Sequence, residues 1–126
     1  MIKSFEDLCK KNKWDSAKIL PDVSMLPEKF QKATLAIVKL FFITEELNKD
    51  KEGNEWQPDW NKDDEYKYYP WFWMDEPGFR FCDSCCVITL TDAAGGSRLC
   101  FRTRKLAEYA AKTFIDLYKD LMVFEK

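Results

Sequence analysis

The sequence contains no histidine. That removes the base of any serine or cysteine triad, and Ser84 and Ser97 have no other visible base beside them. No carboxylate pair stands out among the 22 acids either, so no catalytic residue is assigned and the chain is not expected to be an enzyme. Glycine is scarce, with four residues. The pair Gly95-Gly96 is followed by no Gly-Lys-Ser/Thr, so it does not cradle phosphate; Asp92-Ala93-Ala94-Gly95-Gly96 reads as a turn. Long apolar runs are missing. The greasiest, Leu35–Ile43, is too short to span a bilayer and is interrupted by Lys39, so no membrane role is expected. The opening MIKSFEDLCKKNKWDS has no apolar core of the kind a signal peptide needs. Five cysteines are an odd number for a secreted disulfide framework. Together these features point to a cytoplasmic protein with reduced thiols.

Charge of one sign is also lacking: the net value is −2, which excludes nucleic-acid binding by bulk positive charge but not by a local patch. The charge is unevenly distributed. Residues 49–65 hold three lysines against seven acids, whereas residues 98–112 hold Arg98, Arg102, Arg104, Lys105 and Lys112 against Glu108 alone.

What the chain has in quantity is aromatic side chains, 16% of its 126 residues, enough to build a compact core in a single domain spanning residues 1–126. They concentrate in YKYYPWFWMDEPGFRFCDSCCVITLTDAAGGSRLCFRT, residues 66–103, which reads as a small antiparallel sheet. The first strand candidate is Tyr66–Met74, where Pro70 implies an edge strand or a bulge. A turn over Asp75–Gly78 leads to Phe79–Leu90. There Phe79 and Phe81 share one parity and Ile88 and Leu90 the other, which implies a bulge or break around Asp83–Cys86. Ser97–Arg102 is the third strand, with Leu99 and Phe101 toward the core and Arg98, Cys100 and Arg102 on the other face.

Helices are expected on both sides. Ser4 caps a short helix over Phe5–Lys13, followed by an irregular stretch from Trp14 to Met25. Pro27 opens a second helix whose stripe of Phe30, Ala33, Ile37, Leu40, Phe41, Thr44 and Leu47 ends near Asn48. Thr103 caps a final helix from about Arg104 to Met122, with Leu106, Ala110, Thr113, Leu117 and Leu121 as its stripe. The expected architecture is therefore α+β: a three-stranded antiparallel meander covered by two N-terminal helices and one C-terminal helix.

Three constellations could carry function. Cys82, Cys85 and Cys86, with Cys100 on the next strand, contain a single C-x-x-C knuckle. A zinc ribbon needs two, and a fourth thiolate would have to come from Cys9. Buried free thiols are the plainer reading, and neither metal nor cofactor is assigned. The second is the basic strand–helix junction of Arg98, Arg102, Arg104 and Lys105. Cations in the first turn of a helix oppose its dipole, so a bound anion or a partner carboxylate could explain them; pairing with Glu108 or the acidic loop is the alternative. The third is aromatic: Trp56 and Trp60 in the loop, with Tyr69, Trp71 and Trp73 on the first strand. Rings occupy both parities of that strand, so one face stays bare unless a loop or a partner covers it.

Two groups of motifs resemble known sequences. One is Trp56-Gln57-Pro58-Asp59-Trp60 followed by Lys67-Tyr68-Tyr69-Pro70-Trp71-Phe72. The other is Gly96-Ser97-Arg98-Leu99-Cys100-Phe101 followed by Leu106-Ala107-Glu108-Tyr109-Ala110 and Phe114-Ile115-Asp116-Leu117-Tyr118. Over about the C-terminal two thirds, the chain resembles a group of small uncharacterised proteins from phages and mobile elements of gut bacteria. The resemblance implies an accessory protein of phage or prophage origin and brings no activity with it. The leading expectation is a non-enzymatic module that binds a protein partner through the aromatic strand and the Trp loop. The alternative is nucleic-acid or phosphate binding at the basic junction.

Overall fold

A computed structural model describes residues 1–91 and 96–124, in which helices flank one β-hairpin. In chain order the elements are α1 (Phe5–Asn12), α2 (Ser16–Ile19), α3 (Glu28–Asn48), β1 (Lys67–Trp73), β2 (Arg80–Val87), α4 (Arg104–Thr113) and α5 (Ile115–Met122). The class is α+β, as expected. Most of the turn expected over Asp92–Gly96 lies outside the described residues; only Gly96 is within them.

The helix starts follow from capping chemistry. Ser4 Oγ accepts from the Asp7 amide at 3.0 Å, and Lys13, in the left-handed region at φ 57°, ends α1. Asp15 accepts from the Ala17 amide, which produces the short α2 where the sequence suggested irregular chain. Thr103 Oγ1 accepts from the Leu106 amide at 3.2 Å and starts α4. The single C-terminal helix expected from the periodicity is broken at Phe114, whose φ of −112° and ψ of 27° leave the helical region. The Phe114 carbonyl starts α5 afresh by accepting from Leu117 and Tyr118. The break lets α4 lie on the hairpin while α5 packs along α3. Ala107, Ala110 and Ala111 are fully buried and let the α4 backbone approach closely.

The core joins Phe5 and Leu8 of α1, Leu40, Ile43 and Leu47 of α3, Leu99, Phe101, Phe114 and Tyr118. Each fully buried aliphatic side chain contributes about 1.5–3 kcal/mol. The hairpin adds its inner face. Phe72 stacks on Phe79 at 4.7 Å, meets Phe81 edge-on at 6.2 Å and lies 5.0 Å from the Tyr118 ring. Leu99 and Phe101 enter the core as expected; Cys100 is buried as well, rather than on an outer face.

Among the described residues the sheet has two strands, and the expected third is reduced to a single bridge. Phe101 and Tyr68 exchange both backbone hydrogen bonds, at 2.8 and 2.9 Å. The contact is with β1, so a meander order would not have resulted in any case. Extension fails in both directions for chemical reasons. One way, antiparallel register would set Leu99 opposite Pro70, which has no amide hydrogen to donate on that edge. The other way lies Thr103, already committed to capping α4. The bulge is present but displaced from Asp83–Cys86. Trp71 faces Asp83 and Phe72 faces Phe81, so Cys82 is the extra residue.

Among the described residues, no helix is long and apolar enough to cross a membrane. Tyr118 carries a core hydroxyl with no hydrogen-bond partner among the described residues, and its burial pushes the phenol pKa upward. Tyr118→Phe removes that stranded donor at nearly constant shape. It should raise unfolding free energy by about 1–2 kcal/mol in urea titration. A loss of stability would show that the hydroxyl is bonded.

Candidate functional site

Alternation along β1 sorts its rings between two environments. Tyr68, Pro70 and Phe72 turn toward the helices, while Lys67, Tyr69, Trp71 and Trp73 turn outward. Half of the outward row is sealed by loops. Lys67 is fully buried, and its ammonium donates to three backbone carbonyls: Asp59 at 2.6 Å, Ile88 at 2.7 Å and Glu65 at 2.9 Å. Those bonds use all three ammonium hydrogens. The Glu65 carboxylate lies 3.5 Å away and the Trp60 ring centroid 5.0 Å away. Tyr69 is buried too; its hydroxyl donates to the Gly96 carbonyl at 2.8 Å and contacts Thr91 Oγ1 at 2.6 Å.

Beyond Tyr69 the covering stops. Trp71 is 54% exposed and Trp73 49% exposed. Asp83 faces Trp71 and Arg80 faces Trp73, with Cys82 and Cys85 exposed on the same strand. The ribbon is held firmly at its turn. Arg80 donates to the Gly78 carbonyl at 2.7 Å and to Asp75, and its guanidinium lies 5.7 Å from the Trp73 centroid. Of the five aromatic residues singled out in the sequence, Trp71 and Trp73 therefore form the exposed surface. Tyr69 does not contribute to it, and Trp56 and Trp60 lie elsewhere, half-buried.

The strand that would align Arg98 with Arg102 does not form, and Arg102 and Arg104 bond different elements. Arg102 turns back on the end of α3, donating to the Asn48 carbonyl at 2.9 Å and the Lys49 carbonyl at 3.2 Å. It thereby satisfies helix-terminal acceptors and complements the helix dipole. Arg104 reaches β2, donating to the Ser84 carbonyl at 2.8 Å and Ser84 Oγ at 2.9 Å, with its guanidinium 5.3 Å from the Tyr68 centroid. Arg98 and Lys105 have no ion pair or hydrogen bond among the described residues. Arg102 borders an open cleft with Lys10, Lys11, Lys49, Lys51 and Glu46. Burial alone would push the Glu46 carboxyl upward, but hydrogen bonds from Lys11 and Lys49 hold it below its ordinary value.

Among the described residues no group of three or more cysteine and carboxylate ligands is assembled. Cys100 is buried and donates to the Ser97 carbonyl at 3.4 Å; burial pushes its thiol up to about 11, so it stays protonated at neutral pH.

Trp56 and Trp60 instead wall a cavity against α3, and Arg98 stands at its edge. One residue of the basic set thus joins two of the aromatic set. The residues the sequence reading did not single out are Lys67, Asn48 and Thr44. Lys67 left a faint signal, being a charge on the same parity as outward aromatics. Asn48 and Thr44 left none, because neither residue type is unusual near a helix end or in its stripe. The chain matches no protein-family model, no curated protein and no solved structure.

Lys67→Met keeps the length of the side chain but strands three carbonyls. It should cost about 3–5 kcal/mol in urea unfolding, whereas Trp71→Ala and Trp73→Ala should each stay within about 0.5 kcal/mol of the parent. Equal costs at the three positions would remove the distinction between sealed and bare halves of β1.

Proposed function

We propose that the chain is a non-enzymatic accessory protein of phage or mobile-element origin that binds another protein through the outer ribbon of its hairpin. The observation that carries this reading is the pair of half-exposed indoles, Trp71 and Trp73, on a strand whose other outward residues are sealed. A Trp side chain buries about 150–250 Å² when covered, and indoles are enriched among the residues that dominate binding energy. The ribbon is also pre-organised. The Arg80 bonds across the turn and the Lys67 bonds at the far end fix the backbone, so little ordering remains to be done on association. Asp83 and Arg80 face the two indoles, and Arg80 is ion-paired with Asp75 of the turn, so the partner surface should be apolar at its centre and polar at its rim.

The phage-like motifs support the origin, and the same reading takes the protein to be cytoplasmic. No catalytic residue and no cofactor belong to it. The alternative, nucleic-acid or phosphate binding at Arg98, Arg102, Arg104 and Lys105, has less support. Two of the four guanidinium or ammonium groups, those of Arg102 and Arg104, are spent on carbonyls within the chain.

Two measurements test the proposal. Sedimentation of the purified protein and of a Trp71→Ala/Trp73→Ala variant first decides whether the partner is a second copy. Affinity capture from the source organism then compares the two forms. The expected outcome is a protein retained by the parent and lost by the double variant, with affinity little changed between about 50 and 200 mM salt. Equal retention by both forms would overturn it. So would steeply salt-sensitive DNA binding that disappears in an Arg102→Ala/Arg104→Ala variant.

A further inference from the structure

Ten large apolar side chains are exposed among the described residues, and they are not spread evenly. Trp71, Trp73 and Met74 belong to the hairpin end. Four others, Met25, Leu26, Phe30 and Phe124, gather where α3 starts and α5 ends, with exposures of 93%, 39%, 49% and 91%. Phe30 and Phe124 line one groove of about 330 Å³ between the two helices, together with Ala33, Leu121 and Val123. Gln31 donates to the Leu26 carbonyl at 3.0 Å, which holds the segment carrying Met25 and Leu26 beside the first turn of α3. At roughly 200 Å² for a fully open large side chain, the four exposures amount to about 500 Å² on one molecule. An apolar patch of that size is at the upper end for a monomer and marks an interaction surface.

The charges around the groove identify its occupant. The α3 wall carries Glu28, Lys29 and Lys32, a net of +1, and the α5 wall carries Asp116, Lys119 and Asp120, a net of −1. The Lys29 and Asp120 side chains have no ion pair or hydrogen bond among the described residues; the Lys29 ammonium lies 5.1 Å from the Phe30 ring centroid instead. Each also opposes its own helix, Lys29 as a cation in the first turn of α3 and Asp120 as an acid in the last turn of α5. The start of α3 has no side-chain cap either. A uniformly acidic or uniformly basic partner would be repelled by one of the two walls. A second copy, turned about a two-fold axis running along the groove, sets each α3 wall against the α5 wall of the other molecule. Opposite charges then face each other on both sides, and the apolar side chains of the two copies meet between them. Two such patches bury about 1,000 Å², and the charged walls bring the total toward the 1,200–2,000 Å² or so of a specific interface.

We infer that this groove is a homodimer interface in which α3 of each copy faces α5 of the other. It shares no residue with the hairpin ribbon, so either proposal can fail without the other.

Sedimentation equilibrium of the full chain over about 1–500 μM tests it. The expected result is a monomer–dimer equilibrium with a Kd of about 1–100 μM, the weak end for an interface this small. Phe30→Ser/Phe124→Ser should weaken association at least about tenfold, and Trp71→Ala/Trp73→Ala should leave it unchanged. Asp120→Lys makes both walls basic, and Lys29→Glu makes both acidic, so each variant alone should associate about tenfold more weakly than the parent. An equimolar mixture of the two should pair with close to the parent's affinity, since every basic wall then meets an acidic one. Misfolded chains would not recover in this way, so the mixture separates charge repulsion from loss of fold. A parent that stays monomeric throughout the range would overturn the assignment. So would a dimer that survives Phe30→Ser/Phe124→Ser, a dimer lost in Trp71→Ala/Trp73→Ala, or a mixture that pairs no more tightly than its components.

Discussion

The peptide groups around Phe101 hold the architecture together. On one side, the Phe101 amide and carbonyl pair with Tyr68 of β1. On the other, the Cys100 carbonyl accepts from Asn48 Nδ2 at 2.9 Å and the Arg102 amide donates to Asn48 Oδ1 at 3.0 Å. A side-chain amide thus does for one residue what a neighbouring strand would do for several. Stranding any of these groups in the interior would cost about 1–3 kcal/mol, so the arrangement is strongly specified. It ties the end of α3, the start of β1 and the entry to α4 to one fully buried ring. Arg102 extends the same junction by closing off the α3 carbonyls.

From this junction the two faces of the hairpin acquire different fates. The inner face meets α4 and α5, where three alanines allow close approach and Tyr118 completes an aromatic cluster with Phe72. The outer face is covered only as far as the acidic loop reaches. Lys67 is the reason the loop reaches that far. Its ammonium gathers carbonyls from the loop and from the end of β2, and its charge lies near the Glu65 carboxylate and over Trp60. The loop then carries Trp56 and Trp60 toward α3 and leaves Trp71 and Trp73 without a cover. The proposed partner surface and the groove between the loop and α3 are therefore two consequences of one loop placement.

Features of the sequence governed by local chemistry were readable from it. Ser4 and Thr103 announced their helices, the α3 stripe ended at Asn48 as its periodicity required, and Pro70 marked an edge. The bare parity of β1 was legible from rings on both faces. The third strand was not, because its absence depends on a register against Pro70 and on a cap at Thr103, which alternation within Ser97–Arg102 cannot reveal. The break at Phe114 escaped for a related reason: the apolar stripe continues across it, and only packing against two different elements separates α4 from α5. The expected alignment of Arg98 with Arg102 was lost because a fixed spacing along a strand holds only where the strand forms. Arg98, Arg102 and Arg104 lie on a turn, an irregular link and a helix start.

Amide hydrogen exchange at Phe101 and Arg102 tests the junction most directly. If Tyr68 and the Asn48 side chain hold these two N–H groups as described, both should exchange only through global unfolding, with protection equal to that of the α3 core amides. Rapid exchange at Arg102 while α3 stays protected would show that the Asn48 side chain does not clamp this segment, and the account of how loop, hairpin and helices are joined would be contradicted.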